Sequence, residues 1–532
     1  MIGRDTAPSP RDASLPAPNP GGAGWVPDRG DGTYLNPVLF ADYSDPDAIR
    51  VGDDYWLTAS SFNHVPGLPI LHSRDLVNWE LAGHALPRLV PEEHYSVPRH
   101  GAGVWAPAIR FHRGRYWIYY PDPDFGLYVV TTTDPRGSWT APKLIHAGRG
   151  LIDPCPFWDE DGRAYLVHGW AKSRSGICNQ LTLHTLSEDG LSITDAGTVI
   201  VDGAAMPGWH TIEGPKLYRR HGYYYIFAPA GGVATGYQAV FRARRIQGPY
   251  EARVVLAQGH TAVNGPHQGA WVETPGGEHW FLHFQDRGTF GRVVHLQPMS
   301  WGADEWPQIG HPGPEGTGEP VLRHAKPASG NRAIAVPATS DDFRTGRPGP
   351  QWQWQANPGA DWVRRGAEGL EFRAVPHPTG VSLWGAPALL LQKFPAPGFT
   401  ATVRMAFAPA NDGDAAGLLV FGYGYAWLGL RRADGLTRLV CVTCDAANEG
   451  GRERMTVVTD DARGPVWLRA AVDANANCQF SSSRDGMQFL PVGTTFRATV
   501  SKWVGAKIGL FARSETTATP YGAATFSRFE IA

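Results

Sequence analysis

Five times along its first three hundred residues the chain repeats one pattern: a residue at the mouth of a strand, an apolar run, a polar turn, and an aromatic-rich second strand. The copies open at Asp45 (DPDAIRVGDDYWLTAS), Trp105 (WAPAIRFHRGRYWIYY), Asp153 (DPCPFWDEDGRAYLVHG), Glu213 (EGPKLYRRHGYYYIFAP) and His267 (HQGAWVETPGGEHWFLHF). Their openings lie 60, 48, 60 and 54 residues apart. A period of about 40–60 residues built from short strands is the signature of propeller blades. Within each copy a Gly or Asp occupies the turn, where left-handed backbone costs little, so each reads as a hairpin. Equivalent positions of successive blades face one axis, so Asp45, Asp153 and Glu213 are expected to converge despite their separation along the chain.

The repeats, with further strand candidates at 127–133, 181–188 and 239–246 assigned to the outer edges of blades, account for a five-bladed β-propeller over residues 34–325. Residues 1–33, rich in Pro, Gly and Ala, read as a disordered lead. Residues 326–339 read as a linker. From residue 340 the texture changes to alternating strands, among them 401–408, 417–432, 438–444, 454–459, 466–473 and 507–513. About a dozen short strands without helices indicate a β-sandwich of the lectin-like jelly-roll type over 340–532. The fold class is therefore all-β, a propeller followed by a sandwich, and 532 residues suit two domains better than one.

Charge narrows the partners. Lys and Arg number 48 against 50 Asp and Glu, and neither sign gathers into a long run. Nucleic acids and anionic membranes both call for a concentrated cationic face, so a small neutral substrate fits better. The chain's 20 Trp offer indole faces for sugar stacking, although aromatic residues also favour strands for their own sake. Five scattered cysteines include a lone C-x-x-C at 441–444, with no second pair and no histidine at ligand spacing; free thiols are the expectation. The first residues have no apolar segment of signal-peptide type and no later run approaches a membrane span, which suggests a cytoplasmic protein unless a signal has been removed. The sequence sets no oligomeric state.

Hydrolysis of an acetal needs one carboxylic acid to protonate the departing oxygen and a second carboxylate on the other face, to activate water or to attack. A third carboxylate nearby is costly unless it serves the others, because its charge holds a neighbouring acid protonated. Asp before Pro is a common turn opening, and Asp45 or Asp153 alone reads as structural. Three acids at the same register of an internal repeat read as an acid, a base and a tuner. Asp47, two residues beyond Asp45, falls on the other face of its strand and is set aside as the base.

At these residues the chain resembles glycoside hydrolase family 43, through NPVLFADYSDPDAIRVGDDYWLTASSF, GVWAPAIR, GLIDPCPFWDEDG, TIEGPKLYRRHGYYYIFAPAGG and NGPHQGAWVETPGGEHWF in family order. The region from 340 resembles the C-terminal domain of β-xylosidase-like members. The resemblance implies Asp45 as general base, Glu213 as general acid, and Asp153 as the residue that orients the acid and keeps it protonated. It implies inversion at the anomeric carbon, hence about 6.5–9.5 Å between the carboxyls of Asp45 and Glu213. It further implies that Phe62 and Trp105 wall the terminal-sugar subsite, that Arg292 reaches substrate and carboxylates, and that His267 stands on the axis and contacts substrate. No cofactor is required; a calcium ion near the axis, met by His267 through water, is the metal that the resemblance offers. A blind pocket, closed on one side by a sandwich loop as in two-domain relatives, implies exo-acting release of terminal β-D-xylose, α-L-arabinofuranose or both from hemicellulose-derived oligosaccharides. Two other readings stand beside this one: a retaining β-fructosidase-like hydrolase, whose characteristic acid motifs the chain lacks, and a non-catalytic glycan-binding propeller, which would be missing one of the acids.

Overall fold

The computed structural model describes residues 24–313, 316–328, 332–377 and 382–532. Five antiparallel four-stranded arrays follow one another along the chain. The first is formed by Asp47–Val51, Asp54–Thr58, Gly67–Ser73 and Trp79–Leu86, and the second by Ala108–His112, Arg115–Asp122, Gly126–Thr132 and Lys143–Ala147. The third comprises Leu151–Trp158, Ala164–Trp170, Gln180–Leu186 and Thr198–Asp202. Lys216–Arg220, Tyr223–Ala230, Tyr237–Ala243 and Glu251–Leu256 make the fourth, and His267–Glu273, His279–Asp286, Arg292–Trp301 and Pro307–Ile309 the fifth. The hairpin joining the first two strands of every blade carries a glycine at positive φ: Gly52, Gly114, Gly162, Gly222 and Gly277. That shared turn chemistry is what made the repeat visible.

The strand candidates near 127, 181 and 239 are third strands of their blades. The outermost strands are Lys143–Ala147, Thr198–Asp202 and Glu251–Leu256, whose mixed exposure hides the period-2 pattern. The fourth blade is extended further by Gly318–Glu319, parallel to Glu251–Leu256, and by His311–Pro312.

The propeller is closed by the chain's early residues. Thr33–Leu35 pairs with Arg323–Ala325, and Leu39 bridges Val294. The Tyr34 hydroxyl donates to Leu296 O at 2.8 Å, and Asn36 Nδ2 donates to Leu296 O and Val321 O at 2.7 and 2.8 Å. The expected disordered lead is therefore too long. Trp25 is buried and donates its indole N–H to Pro37 O at 2.7 Å, because a large apolar ring next to the propeller wall is removed from water there. The earlier part of that lead, residues 1–23, lies outside the described residues. The described part of the segment between domains forms no strand, yet Lys326 is ion-paired with Asp28 and Asp75, and Ala335 N donates to Asn78 Oδ1 at 3.1 Å.

Two sheets make the sandwich. One runs Gln353–Trp354, Leu389–Lys393, Lys507–Ser514, Ala415–Phe421, Tyr425–Ala433, Leu436–Cys444, Arg454–Thr459. The other runs Val363–Arg365, Leu370–Arg373, Ala523–Ile531, Phe399–Ala408, Val466–Val472, Asn477–Ser483, Leu490–Arg497. The apolar run 417–432 is folded into a hairpin, with Val420 opposite Ala426. Cys441 and Cys444 lie in one of these strands, and all five cysteines are free thiols.

The two domains share one core. Phe40, Val65, Val104 and Phe290 of the propeller belong to the same buried cluster as Trp354, Leu390, Phe394 and Ala396 of the sandwich. The backbone crosses between them too: Val65 and Trp354 exchange hydrogen bonds, and Asn357 Oδ1 accepts from Leu89 N at 2.8 Å while its Nδ2 donates to Leu89 O at 2.9 Å.

Candidate active site

Asp45 lies two residues before the innermost strand of the first blade and Asp153 within that of the third, and both hold left-handed backbone, with φ of 55° and 57°. Non-glycine residues rarely occupy this region, least of all ahead of a proline, so both acids are held in place by their surroundings. At Asp153 the deviation is a register shift in the strand pair between Ile152 and Cys155. Phe62, Thr211 and Gln268 share the same strained region, at φ of 51°, 53° and 36°.

Asp45 acts as an acceptor in every side-chain contact it makes. Ser44 Oγ and Ser60 Oγ donate to its Oδ2 at 2.6 and 2.5 Å, and Arg292 Nη1 lies 3.4 Å from its Oδ1. The same Arg292 nitrogen donates to Ser44 Oγ at 2.7 Å, which completes a chain from guanidinium to hydroxyl to carboxylate. Asp153 is in a different environment. It is buried, and its one hydrogen bond comes from Gly214 N, 2.7 Å from Oδ2. Burial, then the charges of Glu213 and Asp45, push its carboxyl up to about 8, against the pull of the Gly214 N–H and Lys216. Glu213 is more open, with a quarter of its side chain exposed, and its Oε1 lies 2.9 Å from His267 Nε2. The charges of Glu213 and Asp45 thus both bear on Asp153, and the environments differ: Asp45 and Asp153 are buried, the first among several donors and the second with little compensation, while Glu213 is the most exposed of the three.

Asp47 is fully buried and spent on a joint between blades. Its Oδ2 accepts from Ile109 N at 2.7 Å and Arg110 Nη1 at 2.6 Å. It is thus placed apart from the hydroxyls and guanidinium that serve Asp45.

Trp105 is half-buried and meets Phe62 edge-on, with ring centroids 6.3 Å apart. Phe62 is only 2 % exposed, so it supports Trp105 from behind and adds little surface of its own. On its other side Trp105 meets Trp503 of the sandwich at 5.9 Å, again edge to face. Arg174 lies over the Trp105 ring, 5.3 Å from its centroid. The segment leading to Trp105 is held between two sandwich loops. His100 stacks on Trp384 at 3.6 Å and its Nε2–H donates to Trp384 O at 2.8 Å, while Gly101 approaches Lys502 so closely that a Cβ would sit 2.3 Å from Lys502 Cγ.

This cluster sits in a chain whose residues 34–307 match the family model of glycosyl hydrolases family 43 and whose residues 340–532 match the β-xylosidase C-terminal concanavalin A-like domain. The chain belongs to glycoside hydrolase family 43. It is 38 % identical over 491 residues to a Xylanibacter ruminicola protein with a provisional β-xylosidase name, covering 91 % of this chain and 87 % of the relative. A β-xylosidase of Formosa agariphila is 30 % identical over 540 residues, with 91 % and 88 % covered. A non-reducing end α-L-arabinofuranosidase of Bacteroides ovatus is 28 % identical over 413 residues, with 73 % of each chain covered. Among solved structures, a mutant of the family 43 protein BlXynB from Bacillus licheniformis superposes with a TM-score of 0.80 at 25 % identity, covering 94 % of this chain and 99 % of that one.

For a family 43 hydrolase the repeat exposed one residue per blade, and it missed what lies between blades and between domains. Ser44 and Ser60, the hydroxyl donors to Asp45, carry no periodic signal; Ser60 could have been found as the last residue of the first repeat copy. Trp503 and its turn belong to a domain whose sequence has no acid pair to draw attention. Among the described residues the buried Nδ1 of His267 has no hydrogen-bond partner. Hard Ca²⁺ prefers oxygen donors, and among the described residues no group of three or more His, Cys, Asp or Glu side chains has the arrangement of a metal centre.

Proposed function

We propose that this glycoside hydrolase removes single terminal pentoses, β-D-xylose or α-L-arabinofuranose, from small oligosaccharides with inversion at the anomeric carbon. The observation that carries this reading is the contrast between the acids: Asp45 receives two hydroxyls and a guanidinium, while Asp153 is desolvated beside Glu213. In this reading Asp45 accepts a proton from a water, which attacks the anomeric carbon as Glu213 protonates the departing oxygen. The more exposed Glu213 presents its carboxyl to the substrate, with the desolvated Asp153 beside it. His267, 2.9 Å from Glu213, holds the carboxyl in position before and after the transfer. Arg292 keeps Ser44 and Asp45 aligned.

Trp105, supported by Phe62, would cover one face of the terminal sugar, and Trp503 would border the leaving group. The clamp of sandwich loops on the segment before Trp105 closes one side of the mouth, which favours exo action. The names of the relatives divide between xylosidase and arabinofuranosidase, and a pocket that places equivalent hydroxyls of both sugars would accept either. No cofactor enters the reaction. A calcium ion near the axis would meet His267 through water and supply electrostatic support alone. Assays with nitrophenyl β-D-xyloside and α-L-arabinofuranoside test the reading: the native enzyme cleaves at least one, and Glu213→Gln loses about 10²–10⁴-fold in kcat. Full activity in Glu213→Gln would overturn it.

A further inference from the structure

Asp42 stands three residues before the base and outside the fivefold pattern. It is 5 % exposed, and both of its oxygens are engaged in different parts of the molecule. Oδ1 accepts from the backbone N–H of Arg292 at 3.0 Å, and Oδ2 accepts from the backbone N–H of Gly505 at 2.9 Å. Arg292 is the residue whose guanidinium reaches Asp45. Gly505 belongs to the sandwich turn that carries Trp503, whose backbone is left-handed at φ 66° and whose ring is 41 % exposed beside Trp105.

The junction has no slack. A Cβ on Gly291 would lie 2.5 Å from Asp42 Cβ, and one on Gly505 would lie 2.4 Å from Gly291 N. Ala506 N donates to Thr289 O at 2.7 Å, so the hairpin tip before Arg292 and the sandwich turn are laid against each other. Asp42 also supplies the negative charge that Lys393 and Lys507 feel across the domain boundary. These lysines face each other in adjacent strands of the sandwich; burial disfavours the charged form of both, the charge of Lys507 adds to this at Lys393, and Asp42 opposes it at each.

We propose that Asp42 is a positioning residue that ties the base side of the catalytic centre to the Trp503 turn, and so fixes the wall against which the leaving group is held. The inference rests on the reading of Asp45 and Glu213 as base and acid. A carboxylate can accept one N–H at each oxygen, whereas an amide presents one acceptor and one donor, so Asp42→Asn must release either Arg292 or Gly505 at unchanged volume. Gly505→Ala attacks the same junction from the sandwich side.

The test compares nitrophenyl β-D-xyloside, whose leaving group is a single ring, with xylotriose, whose leaving group is two sugars. In Asp42→Asn the KM for xylotriose is expected to rise about tenfold relative to that for the nitrophenyl sugar, with Gly505→Ala shifting the ratio in the same direction. The double variant should lie within about twofold of the worse single one, because both act through one contact. Equal KM changes for the two substrates, or multiplicative effects in the double variant, would overturn the role of Asp42 while leaving the catalytic assignment standing. A native enzyme that turns over neither these substrates nor nitrophenyl α-L-arabinofuranoside would contradict the assignment itself.

Discussion

Asp153 has the most informative environment of any single residue. The hydrogen bond from Gly214 does not offset burial beside Glu213 and Asp45, which push its carboxyl up to about 8, far above the ordinary carboxylate range. The folded state therefore binds more protons than the unfolded chain between roughly pH 4 and 8, so ionising Asp153 subtracts stability progressively as pH rises through that window. Asp153→Asn, which keeps an acceptor for Gly214, should raise Tm by a few degrees at pH 8, with the gain vanishing near pH 4, and should lower kcat. Thermal melts across pH check this; a variant less stable than the native protein at pH 8 would contradict it. Such an exchange of stability for function is what a strained, desolvated acid predicts. At this scale the sequence was most legible: Asp45, Asp153 and Glu213 share one register of the repeat, and the charges of Glu213 and Asp45 both bear on Asp153. Ser44 and Ser60 went unread because they lie near Asp45 in the chain but follow no period, and Asp42 because its contacts, Arg292 and Gly505, are hundreds of residues away.

Between blades the joints are polar as well as apolar. Asp47 in the first blade receives Ile109 N and Arg110 of the second, and Arg110 Nη2 also lies 2.9 Å from Cys155 Sγ in the third. Removing the guanidinium leaves a buried carboxylate with one backbone donor. Arg110→Met should therefore cost about 3–5 kcal/mol of stability, read from chemical denaturation, whereas a loss below about 1 kcal/mol would show the joint to be dispensable. The inner hairpins were readable as elements because each combines a glycine turn with an apolar run and an aromatic-rich, almost wholly buried second strand. The outermost strands were misplaced for the complementary reason: Lys143–Ala147 and Thr198–Asp202 lie at sheet edges with mixed exposure, where solvent relaxes the pattern.

Across the whole molecule the sandwich is part of the site. It covers Phe40, Val65 and Phe290, it stacks Trp384 on His100, and it brings Trp503 to Trp105. The change of texture at residue 340 revealed a second domain, and the family resemblance implied that one of its loops closes a side of the pocket, but no residue pattern showed which face it turns to the first, since interdomain packing is written in side-chain shape. A chain ending at residue 339 would expose that shared core and should aggregate in size-exclusion chromatography; a monodisperse, active propeller would contradict the shared core. The central claim, that Asp45 activates water while Glu213 protonates the departing oxygen, is tested most directly by ¹H NMR of the xylose first released from nitrophenyl β-D-xyloside. Inversion predicts that α-D-xylose forms first and then mutarotates, and initial accumulation of β-D-xylose would contradict it.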